Sequence, residues 1–325
     1  PGIAKVAVIG AGAMGAGIAA QVANAGLPVL LLDVVPEGAK ERNRLAEEAL
    51  KRLRAARPKP LMSERALRLI QPGNVEDHLD RLAECDWIVE AVVEKLEVKH
   101  QVYWRIAGIV SSNTSPLPLA RLLEGLPQRF RQDFLITHFF NPPRYMRLLE
   151  VVAGPDTRAE ALETLSAFAD RRLGKTVVRC NDTPGFIANR IGAFWIQAAV
   201  GAALDQGLSV EEADTVMGPA LGFPKSGVFG LLDLVGLDIV AAVDASLAGA
   251  LPADDPYQAI RRPLPHGERT LAEGYIGRKG RGGFYRLNEA GGQRVKEALD
   301  LESGAYRPAV KPRLPQLKAA KGGLE

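Results

Sequence analysis

Val6-Ala7-Val8-Ile9-Gly10-Ala11-Gly12-Ala13-Met14-Gly15 opens the chain, and its reading decides the fold. Four apolar residues form a strand, and GxGxxG follows it directly at the opening of a helix-like stretch, Ala13–Asn24. Gly10 allows a tight turn, Gly12 lets the backbone approach a pyrophosphate, and Gly15 lets helix and strand pack closely. The helix N-terminus, at Ala13 and Met14, offers free N–H groups and a positive dipole to phosphates. A second strand ends at Asp33, 18 residues after Gly15. A carboxylate there can accept both ribose hydroxyls and repels a 2′-phosphate, so NAD is favoured over NADP.

Outward from that segment, short apolar runs alternate with helical stretches. Ala4–Ile9, Pro28–Leu32, Trp87–Val93, Gly108–Ser111, Phe134–Thr137, Leu149–Val152 and Thr176–Cys180 read as strands. Most are unbroken apolar runs, as expected for a parallel sheet covered on both faces. The stretch from Pro36 to Arg57 reads as an amphipathic helix, with Leu45, Ala49, Leu50 and Leu53 on one stripe. After Asp182 the texture turns helical: Asn189–Leu204 is apolar nearly all round, Ser209 with Glu212 forms a capping box, and Leu237–Leu247 adds another helix. The expected fold is α/β, a Rossmann-type doubly wound sheet over residues 1–181 followed by an all-α domain over 182–304. Residues 305–325 are Pro- and Lys-rich and read as a linker-like tail.

A chain of 325 residues fits two domains. Its 47% apolar and 24% charged residues are those of a globular protein, and a net charge of +3 gives no sign of a nucleic-acid partner. Cys85 and Cys180 have no paired spacing, so neither a disulfide framework nor a metal site is expected, and the compartment expected is the cytoplasm. No apolar run reaches the length of a membrane span, and the chain enters its first strand at once, so no signal peptide is expected.

Oxidising an alcohol requires a base for the O–H proton while hydride leaves carbon, and His suits that task near neutral pH. Of His78, His100, His138 and His266, only His138 stands at the carboxyl end of a strand-like run. Glu150 follows 12 residues later, at the next strand. A carboxylate on the far ring nitrogen would fix the tautomer and stabilise the imidazolium.

The series Ser112-Asn113-Thr114-Ser115, Thr137-His138-Phe139-Phe140-Asn141-Pro142, Glu150 and Asp182-Thr183-Pro184-Gly185-Phe186-Ile187-Ala188-Asn189-Arg190 resembles the 3-hydroxyacyl-CoA dehydrogenases of fatty-acid β-oxidation. The resemblance runs from about Val6 to Tyr285. It implies NAD-dependent oxidation of (S)-3-hydroxyacyl-CoA, with His138 as base, Glu150 as its partner, and Ser115 and Asn189 on the reacting oxygen. Asn141 would act near the thioester or the His. The segment Glu90–Lys99 is similar to one that flanks the cofactor in the family, which carries over to Glu94 and Lys99. Arg278-Lys279-Gly280 is similar to the family's closing segment, making Lys279 a further cofactor candidate.

Lys51, Arg52, Arg54, Arg57 and Lys59 form a basic run that corresponds to a CoA-facing excursion in the family, with Arg52 and Arg54 as candidates. A solvated helix face is the commonest meaning of such a run. Pro116 stands where the family commonly has Ser, a departure that bears on the Ser115 loop. The resemblance also implies a homodimer through the helical domain, and a fusion to an enoyl-CoA hydratase in a longer chain. Another β-hydroxyacid or sugar-acid dehydrogenase, or a non-catalytic NAD-binding relative, stays open as an alternative.

Overall fold

The computed structural model describes residues 2–289 and 293–315. The chain divides into two compact units, Pro1–Ile187 and Ala188–Glu325. The division falls six residues beyond the expected 181, because the turn after Asp182 belongs to the first unit.

The first unit is built on β1 (Val6–Ile9), β2 (Val29–Asp33), β3 (Ile70–Asn74), β4 (Trp87–Glu90), β5 (Ile109–Ser112), β6 (Phe134–Phe139), β7 (Leu148–Ala153) and β8 (Thr176–Cys180). Their order is β3-β2-β1-β4-β5-β6-β7-β8. All neighbours run parallel except β6 and β7, which are antiparallel. Alternate residues feed two cores. Val6, Val8, Val29 and Leu31 face one side, and Ala7, Ile9, Leu30 and Leu32 the other. Coverage on both faces is what makes the strand runs continuously apolar.

β3 escaped the sequence reading. Its sequence, Ile-Gln-Pro-Gly-Asn, lacks an apolar run, and Pro72 cannot donate to a ladder. At the sheet edge, paired with β2 alone among the described strands, the missing N–H is tolerated. The helix expected from Pro36 begins at Arg44 instead. Gly38 has φ +67°, a left-handed conformation that no helix accommodates. Of the expected stripe, Ala49 and Leu53 are buried, Leu45 and Leu50 are half-buried, and Ala46, not foreseen, is buried with them.

The second unit contains helices Ala188–Asp205, Val210–Val216, Phe229–Val235 and Leu237–Ala250, with shorter ones at Pro256–Ile260 and Gly267–Ala272. The Ser209–Glu212 capping box is formed. This unit also carries an antiparallel sheet that the all-α expectation did not include: β9 (Tyr285–Asn288), β10 (Val295–Leu299) and β11 (Tyr306–Pro308). The sheet is pinned to the helices through buried Asp233, whose two oxygens accept the N–H groups of Phe284 and Tyr285, both at 2.7 Å.

Part of the tail read as linker is therefore docked. Tyr306 donates to the Gly283 carbonyl at 2.6 Å, and Arg307 grips both oxygens of buried Glu211 at 2.8 and 2.9 Å. Glu211 also accepts the Val310 N–H at 2.9 Å. The expected linker residues 316–325 lie outside the described residues.

Candidate active site

The nucleotide end is assembled at the carboxyl edge of the parallel strands. β1 has β2 on one side and β4 on the other, a topological switch point where open α/β sheets bind ligands. Gly10, with φ +105°, lies so close to the next strand that a Cβ would sit 2.4 Å from the Ala91 carbonyl oxygen. A Cβ on Gly15 would stand 1.8 Å from the Gly10 backbone oxygen, so the helix packs on the turn only because residue 15 is glycine. Gly12 is different, for nothing lies within 4 Å of where its Cβ would be. No side chain caps the helix Ala13–Asn24 at Gly12. The first amides of Ala13 and Met14 therefore keep their donors for an anion, which fits a dinucleotide pyrophosphate.

Asp33 ends β2 and faces this loop. One oxygen accepts the Ala11 N–H at 2.6 Å, and the other accepts the Val34 N–H at 2.7 Å. Arg52 donates to the Ala11 carbonyl at 2.9 Å, so the basic run reaches the glycine loop through that one residue. Arg54 is paired with Glu64 at 3.1 Å on the surface.

Lys99 lies beneath this edge, not on it. Its side chain is fully buried, with Nζ 2.7 Å from Glu90 and 3.4 Å from Glu94. Glu90, also fully buried, accepts from Tyr103 at 2.5 Å, Ser112 at 2.7 Å and the Val92 N–H at 2.7 Å. Burial, then the Glu90 charge, push the Tyr103 phenol well above its ordinary range. Glu94 is half-exposed and accepts from Thr114 at 2.7 Å. Of the two cofactor candidates carried over, Glu94 is the solvent-accessible one, and Lys99 lies buried beside it at 3.4 Å. Lys99 had no signal in the sequence that separated a buried ion pair from a surface charge.

The chemical end is a strand pair. His138 on β6 and Glu150 on β7 are directly opposite in the antiparallel register. His138 Nδ1 lies 2.8 Å from Glu150 Oε2, with the carboxylate fully buried and the imidazole nearly so. The Ile187 N–H donates to Glu150 Oε1 at 3.0 Å. The Ile187 amide is aimed there by a turn with two successive positive φ values, Gly185 at +74° and Phe186 at +49°. Phe186 costs some strain at that φ, offset by burial of its ring 5.8 Å from the imidazole. Phe140 lies 4.5 Å away on another side. With Nδ1 committed to a carboxylate, Nε2 is left for proton transfer. Cys180 stands close by, and burial followed by the Glu150 charge push its thiol up to about 11, so it is no nucleophile at neutral pH.

The remaining candidates are distributed as follows. Ser115 is half-buried in the loop after β5, next to Asn113, whose side chain accepts the Phe139 N–H at 2.9 Å and so ties that loop to the His138 strand. Asn141 is exposed in the loop that joins β6 to β7. Asn189 is the second residue of the helix Ala188–Asp205, and Lys279 pairs with Asp238 at 2.8 Å; both belong to the second unit. Asp182 accepts the Leu119 N–H at 3.0 Å, holding the turn that delivers Ile187. Ile187, Phe186 and Phe140 lie inside the quoted motifs, but their contacts with Glu150 and the imidazole depend on the fold and are not readable from spacing.

Comparison with known proteins agrees with this geometry. Residues 5–183 match the family model "3-hydroxyacyl-CoA dehydrogenase, NAD binding domain", and residues 185–287 match "3-hydroxyacyl-CoA dehydrogenase, C-terminal domain". A fatty acid oxidation complex trifunctional enzyme of Rickettsia felis is 42% identical over 315 residues, which is 95% of this chain and 44% of that protein. The chain thus spans less than half the length of that relative. A 3-hydroxyacyl-CoA dehydrogenase of Deinococcus radiodurans is 43% identical over 87% of this chain and 83% of its own. The crystal structure of FadB2 from M. tuberculosis superposes with a TM-score of 0.73 at 29% identity, covering 89% of this chain and all (100%) of that one. Among the described residues no helix is long and apolar enough to cross a membrane. The glycine turn, the His138–Glu150 strand pair and both domain matches place the chain in the 3-hydroxyacyl-CoA dehydrogenase family.

Proposed function

We propose that this chain oxidises (S)-3-hydroxyacyl-CoA to 3-oxoacyl-CoA, reversibly, as a step of fatty-acid β-oxidation in the cytoplasm. The observation that carries the reading is the buried His138–Glu150 pair at 2.8 Å, on the sheet that also carries the glycine turn. NAD, when bound, accepts the hydride from the carbinol carbon. His138 Nε2 takes the hydroxyl proton, while Glu150 holds the Nδ1 proton and stabilises the positive ring that results. Ser115 and Asn189 hydrogen-bond the reacting oxygen as it passes from alcohol to ketone, and Asn141 orients the thioester end or the imidazole. Glu94 contacts the cofactor, with Lys279 as a further contact. Arg52 and Arg54 supply positive charge for the anionic CoA tail.

The second unit exposes Ile191, Phe194, Leu234 and Ile239, apolar side chains that support a homodimer through this unit. The shorter span relative to the Rickettsia protein supports a fusion to further activities, an enoyl-CoA hydratase among them. The test is NADH absorbance with acetoacetyl-CoA, a longer 3-oxoacyl-CoA and a sugar acid. Turnover of the CoA esters alone supports the reading; preference for the sugar acid rejects it.

A further inference from the structure

The loop that closes the His138/Glu150 hairpin is fastened by a buried cation. Lys175 precedes β8 and is 3% exposed. Its Nζ donates to the carbonyls of Pro143 and, at 2.8 Å, of Met146, and lies 5.5 Å from the centre of the Phe139 ring. Burial lowers its pKa to about 8, and among the described residues no carboxylate pairs with it. A buried charge held only by carbonyls and a ring face costs stability compared with an apolar side chain of the same shape.

The same loop meets the helix Ala13–Asn24, whose N-terminus is the glycine turn. Pro143 packs against Gly17 so closely that a Cβ there would lie 2.9 Å from its Cδ. One turn further on, Gln21 donates to the Leu173 carbonyl at 2.8 Å, two residues before Lys175. The β6–β7 loop, the Leu173–Lys175 turn and the nucleotide helix thus form one contiguous buried contact within the first unit.

We propose that Lys175 is a positioning residue for the dehydrogenase reaction: its ammonium fixes the loop that joins the His138 strand to the Glu150 strand, and that carries Asn141, against the helix of the glycine turn. The inference rests on the function proposed above and names a residue that acts through others. Lys175 touches neither the imidazole nor the glycine turn. Its removal should leave cofactor binding intact and misplace the groups that meet the substrate. Displacements of about an ångström in such groups cost up to roughly 10²-fold in rate.

The experiment compares wild type with Lys175→Met, which keeps the length and apolar stem but cannot donate. The readouts are kcat and KM for acetoacetyl-CoA reduction, and the NADH dissociation constant by fluorescence, all well below the melting temperature. The expected result is a fall in kcat of about tenfold or more with NADH affinity within about twofold of wild type. Adding Asn141→Ala to Lys175→Met should cost less than the product of the single losses. A folded Lys175→Met with wild-type kcat overturns the inference, as does a loss that appears equally in NADH affinity. If that variant does not fold, Gly17→Ala decides, since its Cβ would press on Pro143, whose carbonyl Lys175 holds. A lowered kcat with NADH affinity retained supports the coupling, and an unchanged kcat overturns it. Wild type inactive on acetoacetyl-CoA overturns the proposed function and this inference together. An active wild type with unaltered variants overturns this inference alone.

Discussion

The carboxylate of Glu150 bridges its cross-strand partner His138, at 2.8 Å from Nδ1, and the amide of Ile187, at 3.0 Å on the other oxygen. Both carboxylate oxygens are therefore engaged, and the ring is held in one orientation from below. Such an arrangement makes the pair a unit. Glu150→Gln keeps the shape but loses the charge that stabilises the protonated ring, so kcat should fall by about 10²-fold or more. With His138→Gln already present, the same change should cost little further. Kinetics of the two single variants and the double variant check this; losses that multiply would show the residues acting independently.

Asp33 accepts the Ala11 N–H and so shapes the glycine loop; the carboxylate is also the group we propose to select NAD. Asp33→Ser should narrow the preference for NAD over NADP and weaken NAD binding at the same time. Steady-state kinetics with both cofactors decide it, and a wild type equally efficient with each would remove the basis for the assignment.

Lys99 and Glu90 form an ion pair with both side chains fully buried. Lys99→Met leaves the Glu90 carboxylate without its cation and should cost about 3–5 kcal/mol of stability. Denaturant unfolding measures this directly. A loss below about 1 kcal/mol, the range of a surface pair, would mean that the pair is not buried in solution.

Glu211 holds the segment around β11. Burial raises its pKa, but Arg307 and the Val310 amide outweigh burial, and the net shift is downward from 4.5. A lowered folded pKa means the ionised group stabilises the docked segment above its unfolded pKa, and that this stabilisation is lost as pH falls through the folded value. Hydrogen exchange at the Val310 amide should therefore be slow near neutrality relative to the intrinsic rate, and lose its protection below about pH 4.5. Glu211→Gln should abolish that protection at neutral pH. Protection unaffected by the substitution would show that Glu211 does not hold the segment.

Much of this was legible beforehand because it rests on short-range rules. The strand before Gly10, the helix Ala13–Asn24 and the capping box at Ser209 are local in sequence, and each was found at its expected place. What escaped depends on tertiary context. β3 carries a Pro that only a sheet edge tolerates, and β9–β11 follow from Asp233, a helix residue whose partners lie about 50 residues away. The burial of Lys99 came from Glu90, nine residues earlier, and nothing in a string of alternating charges marks which cation is enclosed. His138 and Glu150 were legible as candidates, whereas their pairing is a property of the antiparallel register that no spacing reports.

The central claim is proton transfer by His138 in NAD-dependent oxidation of a 3-hydroxyacyl-CoA. It is tested most directly by following NADH formation from (S)-3-hydroxybutyryl-CoA and NAD with wild type and His138→Gln, alongside NADH affinity for both. The account predicts turnover by wild type, a kcat lower by about 10²–10⁴-fold in the variant, and cofactor affinity close to wild type in both. Comparable kcat in the two proteins, or no turnover by wild type, would contradict it.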